Sequence, residues 1–89
     1  MTKMVLDVLK PHQPSILEMS KLIGELNGVR AVNTVLREVD ADTETVVLSV
    51  EGGALDYEAV LDVIEQCAAS VHSIDEVSVE TLDEYGEEV

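Results

Sequence analysis

Eighty-nine residues, with two tyrosines and no phenylalanine or tryptophan, suit one small domain with an aliphatic core and leave no room for a second. The single cysteine, Cys67, excludes an intrachain disulfide, and no apolar run reaches the roughly 18 residues of a membrane span. The formal net charge of −14, without a signal-peptide pattern, argues for a cytoplasmic protein and against nucleic acid or anionic membranes as partners.

The first predicted element is a strand from Lys3 to Leu9, alternating around Met4, Leu6 and Val8 and stopping at Lys10, Pro11, His12, Gln13 and Pro14. Pro14 suits the first position of a helix, where Ile16, Met19, Ile23 and Leu26 recur at helical spacing until Asn27 and Gly28 end it. Val29 to Asp40 and Thr45 to Glu51 read as two strands of a hairpin joined by a polar turn from Ala41 to Glu44. After Gly52 and Gly53, Asp56 is expected to cap a second helix, with Leu55 and Val60 as a staple and Tyr57, Val60, Leu61, Ile64, Cys67 and Ala68 as its buried stripe. A last strand runs from Ser70 to about Thr81, and Leu82 to Val89 is expected to be an acidic, frayed tail. The domain proper is therefore residues 1–81. The order strand, helix, strand, strand, helix, strand describes an α+β, ferredoxin-like domain: a four-stranded antiparallel sheet with two helices on one face and strands one and three central.

All five basic residues, Lys3, Lys10, Lys21, Arg30 and Arg37, fall in the first 37 positions, while residues 38–89 hold 16 of the 19 carboxylates. A uniformly acidic surface is what adaptation to high salt produces, so only carboxylates in unusual structural positions point to function. Asp7 is one of them. If Met4, Leu6 and Val8 face the helices, Val5, Asp7 and Leu9 face the uncovered side, and aspartate is depleted in the middle of a central strand. The last strand supplies two more: Ile74, Val77 and Val79 all read as core residues, and one extra residue at Asp75-Glu76 reconciles them. A bulge there turns Asp75 and Glu76 together toward the open face, near Asp7.

Like charges facing across strands are destabilising, so a base, a proton or a cation has to compensate. Carboxylate oxygens suit Ca²⁺ or Mg²⁺, and His12 or His72 would admit a transition metal. The expected metal ligands are thus Asp7, His12, Asp75 and Glu76. Val5, Leu9, Val35 and Val47 would leave an apolar patch on the same face, from which self-association through the sheet or its edge strands two and four is expected.

Several chemistries lack their residues. The loop after strand one has no C-x-x-C, one cysteine cannot hold an iron–sulfur cluster, and no aromatics line the central strands for RNA. There is no P-loop, G-x-G-x-x-G or G-x-S-x-G, and His72, Ser73 and Asp75 lie in one strand, whose alternation spoils a triad.

The strings VLDVLKPH (Val5 to His12), LNGVRAVN (Leu26 to Asn33) and VHSIDEV (Val71 to Val77), in this order and spacing, resemble the archaeal family catalogued as domain of unknown function 211. Asp7, Lys10, Pro11, His12, His72, Asp75 and Glu76 stand at matching motif positions. The resemblance implies a ferredoxin-like subunit of ring-like oligomers that binds divalent cations and has no established enzymatic activity. The additional acid suggests a halophilic archaeon. The leading expectation is a non-enzymatic, cation-responsive homo-oligomer. The alternative is an ACT-like regulatory module, holding a small metabolite between the Lys10-to-Pro14 loop and a neighbouring copy.

Overall fold

The computed structural model describes residues 1–81, so the tail expected at 82–89 lies outside the described residues. The elements are β1 (Lys3–Pro11), α1 (Ile16–Gly24), β2 (Val29–Val39), β3 (Thr43–Gly52), α2 (Tyr57–Gln66) and β4 (Ser70–Ser78). The sheet runs β2-β3-β1-β4 with every pairing antiparallel, so β1 and β3 are central and β2 and β4 are the edges. This is the ferredoxin-like arrangement. No helix among the described residues is long and apolar enough to cross a membrane.

The core lies between the sheet and the helices. Met4, Leu6 and Val8 of β1 and Val46, Leu48 and Val50 of β3 meet Met19 and Ile23 of α1 and Val60, Val63 and Ile64 of α2, all buried. Burial of each such aliphatic side chain contributes about 1.5–3 kcal/mol, so a core without aromatic rings depends on filling every inward position.

Several local features depart from expectation, among them the end of β4 at Ser78 instead of Thr81 and the exposure of Ile74, Val77 and Val79, which read as core residues. Pro14 precedes α1 instead of opening it: Ser15 is the N-cap, its hydroxyl accepting from the Glu18 amide while the Glu18 carboxylate accepts from the Ser15 amide. β1 continues past Leu9 to Pro11, because Lys10 turns inward and finds partners there. The hairpin turn closes earlier, with the Asp40 amide donating to the Thr43 carbonyl, so Glu44 belongs to β3. Finally, Ala68 is not in the buried stripe of α2: it is exposed in a left-handed conformation (φ 59°), and Ala69 is buried instead.

The β2–β3 unit closes against itself at Gly52. A methyl group at that position would come within 1.9 Å of the Gly28 carbonyl oxygen, which already accepts from the Gly53 amide at 3.0 Å. Gly53 has nothing within 4 Å of the corresponding position. Gly52→Ala is therefore expected to lower unfolding stability by about 1–3 kcal/mol or more, and Gly53→Ala by less than about 0.5 kcal/mol. Denaturant melts of both variants check this, and equal losses would contradict the close approach.

Candidate functional site

The site is built by breaks in strand alternation. Along β1 and β4, Val5 pairs with Glu76 but Leu6 with Ile74, so Asp75 is an extra residue bulged out of the ladder. Along β2 and β3, Leu36 pairs with Val46 but Glu38 with Thr45, so Arg37 is an extra residue too. Bulges re-aim side chains, and they concentrate at sheet edges. Here they turn Asp75 and Arg37 onto the open face, where both line one concavity of about 310 Å³ with Asp7, Glu38, Thr45 and Val47. All four strands contribute. Asp7 stands opposite Val47 of β3 and Ser73 of β4, and the Ser73 hydroxyl donates to Asp75 Oδ1 at 2.6 Å.

The four expected ligands do not converge. Asp7 and Asp75 share the concavity, as the phase of β4 predicts. Glu76 also meets the open-face row, opposite Val5, but is held by Lys3 Nζ at 3.4 Å. A long lysine reaches its diagonal neighbour across strands, so Lys3 at the start of β1 pairs with Glu76 near the end of β4 as well as with Glu51 of β3. His12 lies five residues beyond Asp7, about 16 Å along an extended strand. Among the described residues, no three His, Cys, Asp or Glu side chains gather closely enough to hold a metal ion.

His12 belongs instead to a second polar cluster. Its Nδ1 lies 2.9 Å from Glu44 Oε2, and its Nε2 lies 3.0 Å from the carbonyl oxygens of Asp40 and Ala41. Both ring nitrogens thus face acceptors, an arrangement that only the doubly protonated imidazolium satisfies in full. The other Glu44 oxygen accepts from the fully buried Lys10 Nζ at 3.1 Å, and that amine also donates to the Pro11 carbonyl at 2.8 Å. The cluster seals the end of the core where the hydrophobic ladder stops. Its sequence signal is a lysine in phase with Met4, Leu6 and Val8, opposite a glutamate in phase with Val46 and Leu48.

Two other reactive groups lie apart. Burial pushes the Cys67 thiol pKa up, which makes it a poor nucleophile. His72 is the extra residue of a further β4 bulge, between Val71 and Ser73, and lines a groove of about 460 Å³ against Tyr57 and Leu61 of α2.

The motifs now stand on identified elements: Val5–His12 is β1 with the residue after it, and Val71–Val77 is the bulged part of β4. The model of the family described as uncharacterized ArCR, domain of unknown function 211, matches residues 2–83. The chain belongs to this family. A Methanocaldococcus jannaschii relative, the uncharacterized protein MJ0319, is 40% identical over 75 residues, which span 84% of this chain and 77% of the relative.

In this member of the family the Lys10–Glu44–His12 cluster makes stability depend on pH. The hydrogen bond to Glu44, then the Ala41 carbonyl, raises the His12 pKa above its ordinary 6.5. The same hydrogen bond, then the one from Lys10, holds the Glu44 carboxyl below the usual range. A raised histidine stabilises the fold fully below its unfolded value and loses that contribution as pH rises through the folded one. A lowered glutamate contributes above its unfolded value and loses its contribution as pH falls through the folded one. Urea melts of the wild type should therefore weaken as pH climbs above 6.5 through the raised His12 value, and His12→Asn should remove that decline. An equal decline in the variant would contradict the assignment. Glu44→Gln, which takes the charge partner from Lys10, should cost about 2–3 kcal/mol at neutral pH by the same measurement.

Proposed function

We propose that this chain is a non-enzymatic subunit that assembles with copies of itself and takes a divalent cation, Ca²⁺ or Mg²⁺, on the open face of its sheet. The observation that carries the reading is the bulge that sets Asp75 beside Asp7 in one concavity. Their carboxylates and the Thr45 hydroxyl, which lines the same hollow, are oxygen donors of the kind hard cations prefer. Water or a neighbouring copy supplies the remaining ligands. Glu76 and His12 are outside the set, because Lys3 and Glu44 already engage them.

Two features support self-assembly. Ile74 and Val77 share the helix side of β4 with Val71 yet are 52% and 48% exposed. Val35, Leu36 and Val39 are likewise exposed on β2. The edges also differ in charge: β2 carries Arg30 and Arg37 against the single Glu38, whereas β4 carries Asp75 and Glu76 and no Lys or Arg. Opposite edges with opposite charge suit head-to-tail addition of one sheet to the next. A cation at Asp7 and Asp75 reduces repulsion between subunits that each carry a formal charge of −14.

Sedimentation velocity at constant ionic strength, with CaCl₂ or with EDTA, tests the reading. A larger species in calcium, reverting in EDTA and absent in Asp75→Asn, is expected. One size under every condition, in wild type and variant alike, would overturn it.

A further inference from the structure

The open-face concavity holds more than a pair of carboxylates. Arg37, bulged out of β2, lines it opposite Asp7 and Asp75, and no carboxylate among the described residues lies within ion-pair distance of its guanidinium. Opposite charges therefore stand apart across a gap floored by Thr45 and Val47 of β3. Strand spacing bounds that gap: β1 and β2 flank β3, so their backbones are about 9–10 Å apart. The volume, about 310 Å³, is at the lower end for small-molecule sites.

A metal ion at Asp7 and Asp75 uses one side of this hollow and leaves Arg37 on the other side unused. A small molecule carrying both signs uses both. With Glu38 counted, three carboxylates and one guanidinium line the concavity, leaving two negative charges uncompensated. The charge complement is a ligand with more cationic than anionic groups.

We propose that this concavity binds a basic amino acid, with the ligand carboxylate on Arg37, one ammonium between Asp7 and Asp75, and the second at Glu38. Arginine is suited to the first role because its planar fork meets a carboxylate in two parallel hydrogen bonds. Val47 offers an apolar floor for the aliphatic stem. The ligand lies on the open face, whereas the Lys10 side chain is buried on the helix side. The proposal goes beyond the cation reading: it shares Asp7 and Asp75 but depends on Arg37, so the two readings fail separately.

Isothermal titration of the full chain at low ionic strength tests it with three probes: lysine, norleucine, which lacks the side-chain ammonium, and cadaverine, which has both ammoniums but no carboxylate. Lysine is expected to bind about tenfold or more tightly than either analogue, the worth of one charge-assisted contact. In Arg37→Gln, lysine should fall to the level of cadaverine while cadaverine is undiminished, and Arg37→Lys should restore part of the difference. Asp75→Asn should weaken lysine and cadaverine together. Arg37 and Asp75 are exposed, so both variants should keep the wild-type melting profile. Lysine that binds no better than cadaverine to the wild type, equally well to Arg37→Gln, or not at all would overturn the proposal. Calcium titrated separately reports on the cation reading, and lysine bound by a protein that takes up no calcium would sustain this proposal and remove that one.

Discussion

With both helices over one face of the sheet, the two central strands must alternate between a dry side and a wet side. β1 obeys this from Met4 to Lys10 and β3 from Glu44 to Val50, and the two strands pair without a register break. That regular pair is the rigid base of the molecule. It fixes Asp7 on the wet side, and it carries Lys10 and Glu44 on the dry side to the end of the core. There the lysine amine is buried only because Glu44 and the Pro11 carbonyl receive it. His12 then ties the same carboxylate to the hairpin turn through the Asp40 and Ala41 carbonyls.

Irregularity is confined to the edge strands. β4 inserts His72 and Asp75 into its ladder, and β2 inserts Arg30 and Arg37. Each insertion lets apolar side chains return to the helix side after three residues instead of two, as from Val71 to Ile74 to Val77 and from Leu36 to Val39. Each also releases one polar side chain from alternation. Two of those residues, with opposite charge and from opposite edges, line a single hollow above the regular pair. The edges thus have two properties at once: they place the charged groups of the candidate site, and they present the exposed Ile74, Val77, Leu36 and Val39 that would favour contact with another copy.

Much of this was legible in the residues. The period of two in Met4-Leu6-Val8 and Val46-Leu48-Val50 gave the central strands and put Asp7 on the open face. The broken phase between Ile74 and Val77 located the bulge at Asp75. The same spacing between Leu36 and Val39 carries the same information about Arg37, but in a β-branched run without a conspicuous acid it reads as ordinary strand. Other features were hidden because they depend on pairing. Nothing local shows that Lys3 reaches Glu76 diagonally, or that Glu44 faces Lys10 and thereby draws His12 away from the carboxylates. The Ser15-to-Glu18 capping box was written in the sequence, and the neighbouring proline masked it.

The central claim is that the open-face site consists of Asp7 and Asp75, gathered by a bulge, while Glu76 and His12 are engaged elsewhere. Carboxyl-carbon NMR of the whole chain during a calcium titration addresses it most directly. The Asp7 and Asp75 resonances should shift together along one saturating curve, with Glu76 and the His12 ring left in place. Shifts at Glu76 or His12 with Asp7 and Asp75 unmoved would contradict the account.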